Sequence, residues 1–375
     1  METNNQLAES IITKIEQDGP ISFRDYMDSC LYDHQFGYYF TAGNKIGVNG
    51  DFYTSCYLTP SFGAMVGKQL EEMWRLLGCK ELTVVEYGAG TGMLCKDILA
   101  YLKNIPLLYK HLRYCIVEIS PTMRTIAQGQ LNDKVAWYNA IDAIKGEIDC
   151  VISNELLDNF PVHSVVKEHE LLEVYVDYQG AFTKVLRPAP PKLKNYFKEL
   201  LIDLPKGYQT EVNLVALQWI NEISLKLKKG FLLTIDYGEQ SRELYSNYRR
   251  SGSVRCYNKH RVNDDVFANI GEQDITAHVN FSALIHWGKK RGLDTCGITT
   301  QAKFLLALGF KEHLRRLYEN QTRDVIQMAR EEAYICRSLL MEMGEKYKVL
   351  IQSKNMDHVF LNGLTLQQKT NNSTP

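Results

Sequence analysis

Five acidic residues, Glu86, Glu118, Asp142, Glu155 and Asp158, stand at or just beyond the ends of apolar runs that read as strands. Glu86 closes the run Val84-Val85-Glu86-Tyr87, which leads into Gly88-Ala89-Gly90-Thr91-Gly92 and then the helix-forming MLCKDILAYL. Glycines at alternate positions admit positive φ and let a ligand approach the backbone, and the helix start beyond them offers unpaired N–H groups. The chemistry implied is that of a nucleotide-type cofactor held between a strand end and a helix.

Spacing narrows the cofactor. The glycines follow GxGxG with an acid two residues before the first, whereas a dinucleotide pyrophosphate turn follows GxGxxG. S-adenosylmethionine carries no phosphate, so acids rather than phosphate-binding amides suit it. In that reading Glu86 orders the loop and accepts from the ammonium of the methionyl moiety; otherwise it is a strand-end carboxylate in solvent. Glu118, in CIVEISPTM, accepts from both ribose hydroxyls, while Ser120 and Pro121 are accounted for as a helix N-cap and first helical residue. Asp142 either accepts from the adenine amino group or caps the helix before AIKG. The expected cofactor set is Glu86, Gly88, Gly90, Gly92, Glu118 and Asp142, with Thr54 and Asn154 from neighbouring segments.

The reacting end of such a cofactor would meet Asn154-Glu155-Leu156-Leu157-Asp158-Asn159-Phe160-Pro161, which follows the strand-like IDCVIS. Methyl transfer asks for an in-line approach to the sulfonium carbon with the nucleophile held in place. If the nucleophile is a guanidinium nitrogen, paired carboxylates match its planar fork of donors and stabilise its charge. Glu155 and Asp158 are the expected pair, with a helix cap as the other reading of Asp158. Three polar, aromatic segments could wall the pocket: residues 50–55 (GDFYTS), 235–238 (IDYG) and 273–280 (QDITAHVN). Asp51 alternatively makes an Asx-turn and Asp236 the polar end of a strand. His278, beside Asp274 and Thr276, is either an orienting group or proton acceptor, or a structural histidine.

Strands and helices must position these groups. From residue 82 the runs LTVVEY, MLCKDILAYL, LRYCIVEI, PTMRTIAQGQL, VAWYN and IDCVIS alternate strand with helix, the pattern of a parallel sheet covered by helices. VHSVVKE and LLEVYVDY suggest a hairpin, VALQWINEISLKL a helix, FLLTIDYG a buried strand and YKVLIQSK a late strand. Helices are expected at 7–18, from Ser22, and near 281–291, 301–308 and 321–343, with long irregular stretches at 32–57 and about 238–280 and a frayed tail at NNSTP. The organisation expected is a helical and loop region at 1–80 forming part of the pocket, then a core at 81–375 with the 238–280 insertion.

Composition sets outer bounds. The chain has 375 residues, 43 basic against 44 acidic, so no overall charge favours nucleic acid or an anionic membrane. Nine cysteines include no CxxC pair, which suggests reduced thiols and no metal site. No apolar run suits membrane insertion, and the start METNNQLAES has neither a signal core nor an arginine-rich pattern, so a cytoplasmic location is expected.

Several ordered blocks together resemble the MidA family: GDFYTS with PSFGAMVG, VVEYGAGTGMLCKDIL, NELLDNFPVH, LTIDYG, the long GSVRCYNKHRVNDDVFANIGEQDITAHVNFSALI and TTQAKFLLALG. The resemblance departs at Cys56-Tyr57-Leu58, where the family usually has proline and an acid, and at Asn159, where a small residue is usual. It implies an α/β class I methyltransferase sheet, mostly parallel with an antiparallel late strand, covered at the cofactor's methyl end by the N-terminal region and the insertion. It also implies S-adenosylmethionine as cofactor and arginine of a protein partner as substrate, with symmetric dimethylation; a respiratory-complex subunit is one such partner, and an oligomer is compatible. A small-molecule methyltransferase and a non-catalytic assembly factor for a respiratory complex are the other readings of the same cofactor site.

Overall fold

The computed structural model describes residues 2–366 except Asn44, Ile46, Val48, Asn49, Phe52, Tyr53, Asn132, residues 320–323 and His358. The Phe52-Tyr53 part of the GDFYTS segment and the NNSTP tail therefore lie outside the described residues.

The apolar runs become one central sheet. Its strands lie in the order Asp294–Thr300, Tyr347–Lys354, Leu227–Glu239, Ile148–Asn154, Leu82–Tyr87, Leu112–Val117 and Val135–Tyr138. The last five in that order pair in parallel, Tyr347–Lys354 runs antiparallel to Leu227–Glu239, and Asp294–Thr300 runs antiparallel to Tyr347–Lys354. The α/β reading with a late antiparallel strand is thus what forms. From Leu82–Tyr87 the chain builds outward to Val135–Tyr138, then returns to lay Ile148–Asn154 on the opposite side. The reversal opens a crevice at the carboxyl ends of these two strands, where open α/β sheets bind ligands.

Both faces of the sheet are covered, so its strands read as continuous apolar runs rather than alternating ones. Alternate side chains still divide between two cores. Val84, Ile152, Leu233 and Val349 pack with Leu70, Met73, Ile98 and Leu99 of helices Pro60–Leu76 and Met93–Leu102. Val85, Val151, Leu232 and Leu350 pack instead with Ile220, Ile223 and Leu284 of helices Leu214–Lys226 and Phe281–Lys290.

A second, antiparallel sheet joins Ile21–Ser22, Leu171–Tyr178, His163–Lys167, Phe182–Pro188 and Tyr208–Val212. The VHSVVKE and LLEVYVDY segments form the expected hairpin, with Val165 opposite Glu173. Helices Glu2–Asp18 and Phe23–Tyr32 pack over this sheet and over Cys256, Val266 and Ile275, so both ends of a long sequence interval share one core.

Two expectations are revised. The 238–280 stretch is not irregular: Arg255–Asn258, Arg261–Asn263 and Asp274–Thr276 form a small sheet, and Val279–Asn280 adds in parallel to the end of Leu227–Glu239. These strands are only two to four residues long, too short for a period to show. The strand Asp294–Thr300 (DTCGITT) went unread because its threonines and glycine carry no apolar run. The helix expected at 321–343 comprises Val325–Cys336 followed by π-helical turns at Arg337–Glu342. No helix among the described residues is long and apolar enough to cross a membrane.

Gly238 is where the insertion locks onto the central sheet. A Cβ there would lie 2.1 Å from Val279 O. Gly238→Ala is therefore expected to push Val279 off the strand and lower stability by about 1–3 kcal/mol, the usual range for overpacking. Urea unfolding checks this, and an unchanged midpoint would mean the pairing is dispensable.

Candidate active site

The glycine loop lies at the mouth of the crevice. Gly88, Gly90 and Gly92 have φ of 63°, 52° and 82°, the left-handed region that side chains other than glycine seldom enter. At the first of them a Cβ would also displace the tip of Leu156, whose Cδ1 would lie 2.6 Å away. The loop bounds a cavity of about 440 Å³, within the range of small-molecule sites. Glu86, Glu118, Asn154, Glu155 and Thr54 all line it, with Gly88 and Gly90; Gly92, the third expected glycine, is not on its wall and faces Ala127 and Leu131.

Two of these carboxylates are starved of water. Glu86 is 2% exposed and accepts from Tyr114 OH at 2.5 Å. Burial nevertheless dominates and pushes its carboxyl up to about 7. Glu118 accepts from Ser120 N at 2.8 Å, and burial likewise raises it to about 7. A ligand that brings donors or positive charge to this cavity would be met by acceptors that water scarcely reaches.

Glu155 faces the same cavity from the other strand. Its φ of 50° is unusual for a residue with a side chain, a strain of the kind that clusters at functional sites. Its Oε1 accepts from Ser55 N at 3.0 Å and from Asn154 Nδ2 at 3.2 Å, and its Oε2 from Tyr347 OH at 3.2 Å. Burial still raises it to about 7. Asn154 beside it also lines the cavity, and its Oδ1 is buried with no hydrogen-bond partner.

Asp236 proves to be the organiser of this loop rather than a mere polar strand end. Fully buried, it accepts from Leu156 N at 3.1 Å and Leu157 N at 2.8 Å through Oδ2, and from Tyr237 N at 2.8 Å through Oδ1. Asp158 shares a hydrogen bond with Asp236. Burial and the facing carboxylate push Asp158 well above the usual range, while three backbone donors favour the charge on Asp236. Asp158 therefore holds the shared proton behind the loop, off the cavity wall, and does not pair with Glu155 as an open carboxylate; nor does its side chain cap the short helix Leu157–Asn159.

The other walls come from far along the chain. Tyr57 OH donates to Thr91 Oγ1 at 2.7 Å, Ser120 Oγ to Tyr39 O at 2.5 Å, and Thr122 Oγ1 to Phe40 O at 2.9 Å, which tie the 32–57 segment over the cofactor loops. Asp51 accepts from Tyr38 OH at 2.7 Å and Lys259 N at 2.6 Å, joining that segment to the insertion. Asp274 accepts from Tyr39 OH at 3.0 Å and Asn159 Nδ2 at 2.8 Å. Asn159, where a small residue was usual, is thus a strut between the loop and the insertion.

Two further expected site residues fall elsewhere. Asp142 has a side chain 83% exposed and paired with Lys226 at 3.2 Å; Asn139, Ala140 and Ile141 make the wall there instead. His278 is outside this cavity, and Arg249 Nη1 approaches its Nδ1 at 3.0 Å. A guanidinium can only donate, so Nδ1 accepts and is closed to protons. Burial and the charges of Arg249 and Arg255 hold His278 down at about 3, so it is not a proton acceptor at neutral pH. Sequence reading missed Tyr32, Tyr39, Gln218, Trp219 and Glu222, which also line the cavity. The last three fall within the helical run VALQWINEISLKL, whose pattern announces a helix but not which turn meets the crevice.

The family model of S-adenosyl-L-methionine-dependent methyltransferases matches residues 65–299, from the helix before the glycine strand into the last strand but one of the sheet. The chain belongs to the MidA family. Among relatives, it is 29% identical over 92% of its length to the mitochondrial protein arginine methyltransferase NDUFAF7 homolog of Caenorhabditis elegans, covering 86% of that protein. It is 26% identical over 92% of its length to the mitochondrial protein arginine methyltransferase NDUFAF7 of Xenopus tropicalis, covering 85% of it. A crystal structure from Burkholderia thailandensis bound to S-adenosyl-homocysteine superposes with a TM-score of 0.87 at 31% identity, covering 98% of this chain and 97% of that one.

As a MidA protein the chain is an S-adenosylmethionine-dependent methyltransferase. The residues present fit that cofactor: a cavity of about 440 Å³, a glycine cradle that a Cβ would fill, two buried carboxylates and the unpartnered Asn154 oxygen. The cytoplasmic expectation is corrected, because the relatives are mitochondrial proteins, and the polar start METNNQLAES carries no information against them.

Two outcomes follow from these carboxylates. Asp236→Ala should strand three backbone N–H groups and cost about 2–4 kcal/mol in urea unfolding, with Asp236→Asn recovering part through its carbonyl oxygen; equal stability of the alanine variant and the wild type would remove Asp236 as the organiser. Glu86 and Glu118 rise in the fold from 4.5 to about 7, so the folded state binds more protons than the unfolded one between these values. The unliganded protein should consequently lose thermal stability as pH rises through that window. A ligand that prefers the ionised carboxylates should bind more tightly as they ionise: S-adenosyl-homocysteine affinity by calorimetry should rise through pH 7, and Glu118→Gln should flatten the rise.

Proposed function

We propose that this MidA methyltransferase methylates arginine in a protein partner, with Glu155 as the group that receives the guanidinium. The observation that carries the reading is Glu155 itself, a carboxyl buried at the cavity wall, strained in its backbone and held by three donors. A buried carboxylate of this kind is balanced by a cation that brings its own N–H groups, and a guanidinium presents them in a planar fork. The names of the relatives, protein arginine methyltransferases, point the same way.

When bound, S-adenosylmethionine supplies an electrophilic methyl carbon. The rest is the work of this chain. Ser55 N, Asn154 Nδ2 and Tyr347 OH fix both oxygens of Glu155, so an arginine hydrogen-bonded to it has one orientation. Transfer of the methyl carbon to the arginine nitrogen would break its bond to sulfur, leave S-adenosyl-homocysteine, and require the nitrogen to give up a proton. Glu155, the carboxylate that faces that nitrogen, is placed to take it. In this reading Glu86, the glycine loop, Glu118, Thr54 and Asn154 hold the cofactor, and residues 1–80 together with the insertion close the substrate side. A respiratory-complex subunit as substrate and symmetric dimethylation as product are the finer expectations carried by the family resemblance.

Labelled S-adenosylmethionine incubated with the protein and a cell extract should label a protein band, and mass spectrometry of that band should find dimethylarginine. Glu155→Gln should lower the labelling rate by about 100-fold or more while S-adenosyl-homocysteine still binds. Full labelling by that variant would remove Glu155 from the reaction, and label confined to small molecules would replace the protein substrate.

A further inference from the structure

A second cavity, of about 450 Å³, is walled by Tyr237, Arg249, Ser253, Arg255 and His278 and has no part in holding the cofactor. It adjoins the reacting end through a short series of contacts. Tyr347 donates to Glu155, its ring lies 5.6 Å from that of Tyr237, and Tyr237 lies 4.2 Å from His278, which touches Arg249.

Among the described residues, Arg249 is a guanidinium of this cavity that makes no ion pair. Arg249 spends one N–H on His278, its Nε is buried without a partner, and among the described residues no carboxylate pairs with it. Arg255 is matched by Asp264 at 3.5 Å and Lys348 by Glu239 at 3.2 Å. Glu211, the buried acid beneath the loop, already accepts from Ser253 N at 2.8 Å and Ser253 Oγ at 2.7 Å. A half-buried guanidinium with an idle donor is an incomplete pair, since such donors ordinarily find an acceptor. A single unpaired guanidinium, with the Glu211 carboxyl close beneath Gly252, suits a monoanion such as a carboxylate better than a phosphate dianion.

We propose that this cavity is a specificity pocket for the protein substrate, in which Arg249 binds the carboxylate of an Asp or Glu side chain close to the target arginine. The inference rests on the protein-arginine reading above. Glu155 receives the basic side chain and Arg249 the acidic one, with Tyr237 and Tyr347 as the partition between them. Each pocket rejects the other's ligand by like-charge repulsion, so the pair of pockets selects both composition and direction of the segment.

The test is a fluorescence-anisotropy titration of the protein loaded with S-adenosyl-homocysteine, using labelled arginine peptides that carry either Glu or Gln beside the arginine. The wild type should bind the Glu peptides at least about tenfold more tightly, the worth of one charged hydrogen bond. Arg249→Gln should bring the two peptides together, and Arg249→Lys should restore part of the difference, while cofactor-product affinity stays unchanged in both. Equal binding of Glu and Gln peptides by the wild type overturns the proposal. So does stabilisation of the wild type, but not of Arg249→Gln, by inorganic phosphate without any peptide preference, which would mark a site for free anions. If the peptide preference holds but neither peptide nor any extract protein is methylated, the pocket stands and the arginine reading fails.

Discussion

The turn after Asn154 depends on one buried carboxylate, that of Asp236, which gathers the N–H groups of Leu156, Leu157 and Tyr237. Without it the chain would leave the central strand with unpaired donors in a region water does not reach. With it, the backbone is held tightly enough to keep Glu155 in the left-handed region and to aim Leu156 at Gly88. The same loop then offers Asp158 O to Ala277 N and Asn159 to Asp274, so the insertion is fastened to it. Cofactor loop, substrate loop and cover meet through these few bonds.

Beside that anchor, the crevice concentrates acids that the fold alone does not neutralise. Glu86, Glu118 and Glu155 are each raised to about 7, with burial as the leading cause. Such groups weaken the unliganded protein as they ionise and strengthen its grip on donors and cations. This is the usual exchange of stability for activity at a functional site. Asp158 and Asp236 resolve the same difficulty differently, by sharing a proton out of the ligand's reach.

The sequence was most legible where chemistry is local. A glycine turn, the acid before it and the helix after it form one short stretch, and their spacing separates S-adenosylmethionine from a dinucleotide. The strand ending in Glu118 and the loop from Asn154 were found by the same logic. Asp142 was misplaced because an acid at the right distance from a strand can turn either way, and here it turns to Lys226 in solvent. His278 looked chemical from its neighbours, yet Arg249, far from it in the chain, occupies its acceptor nitrogen.

By itself, then, the sequence determined the alternation of strand and helix, the parallel sheet, the cofactor loop and the presence of acids at the strand ends, since each follows from residues within a few positions of one another. Tertiary structure alone decided which acids face the ligand and which face each other, because burial and partners come from segments such as Ser55, Asp236 and Tyr347 that only the folded sheet brings together. A carboxyl's protonation is set by how much water and how many donors surround it, and those are properties of the packed molecule.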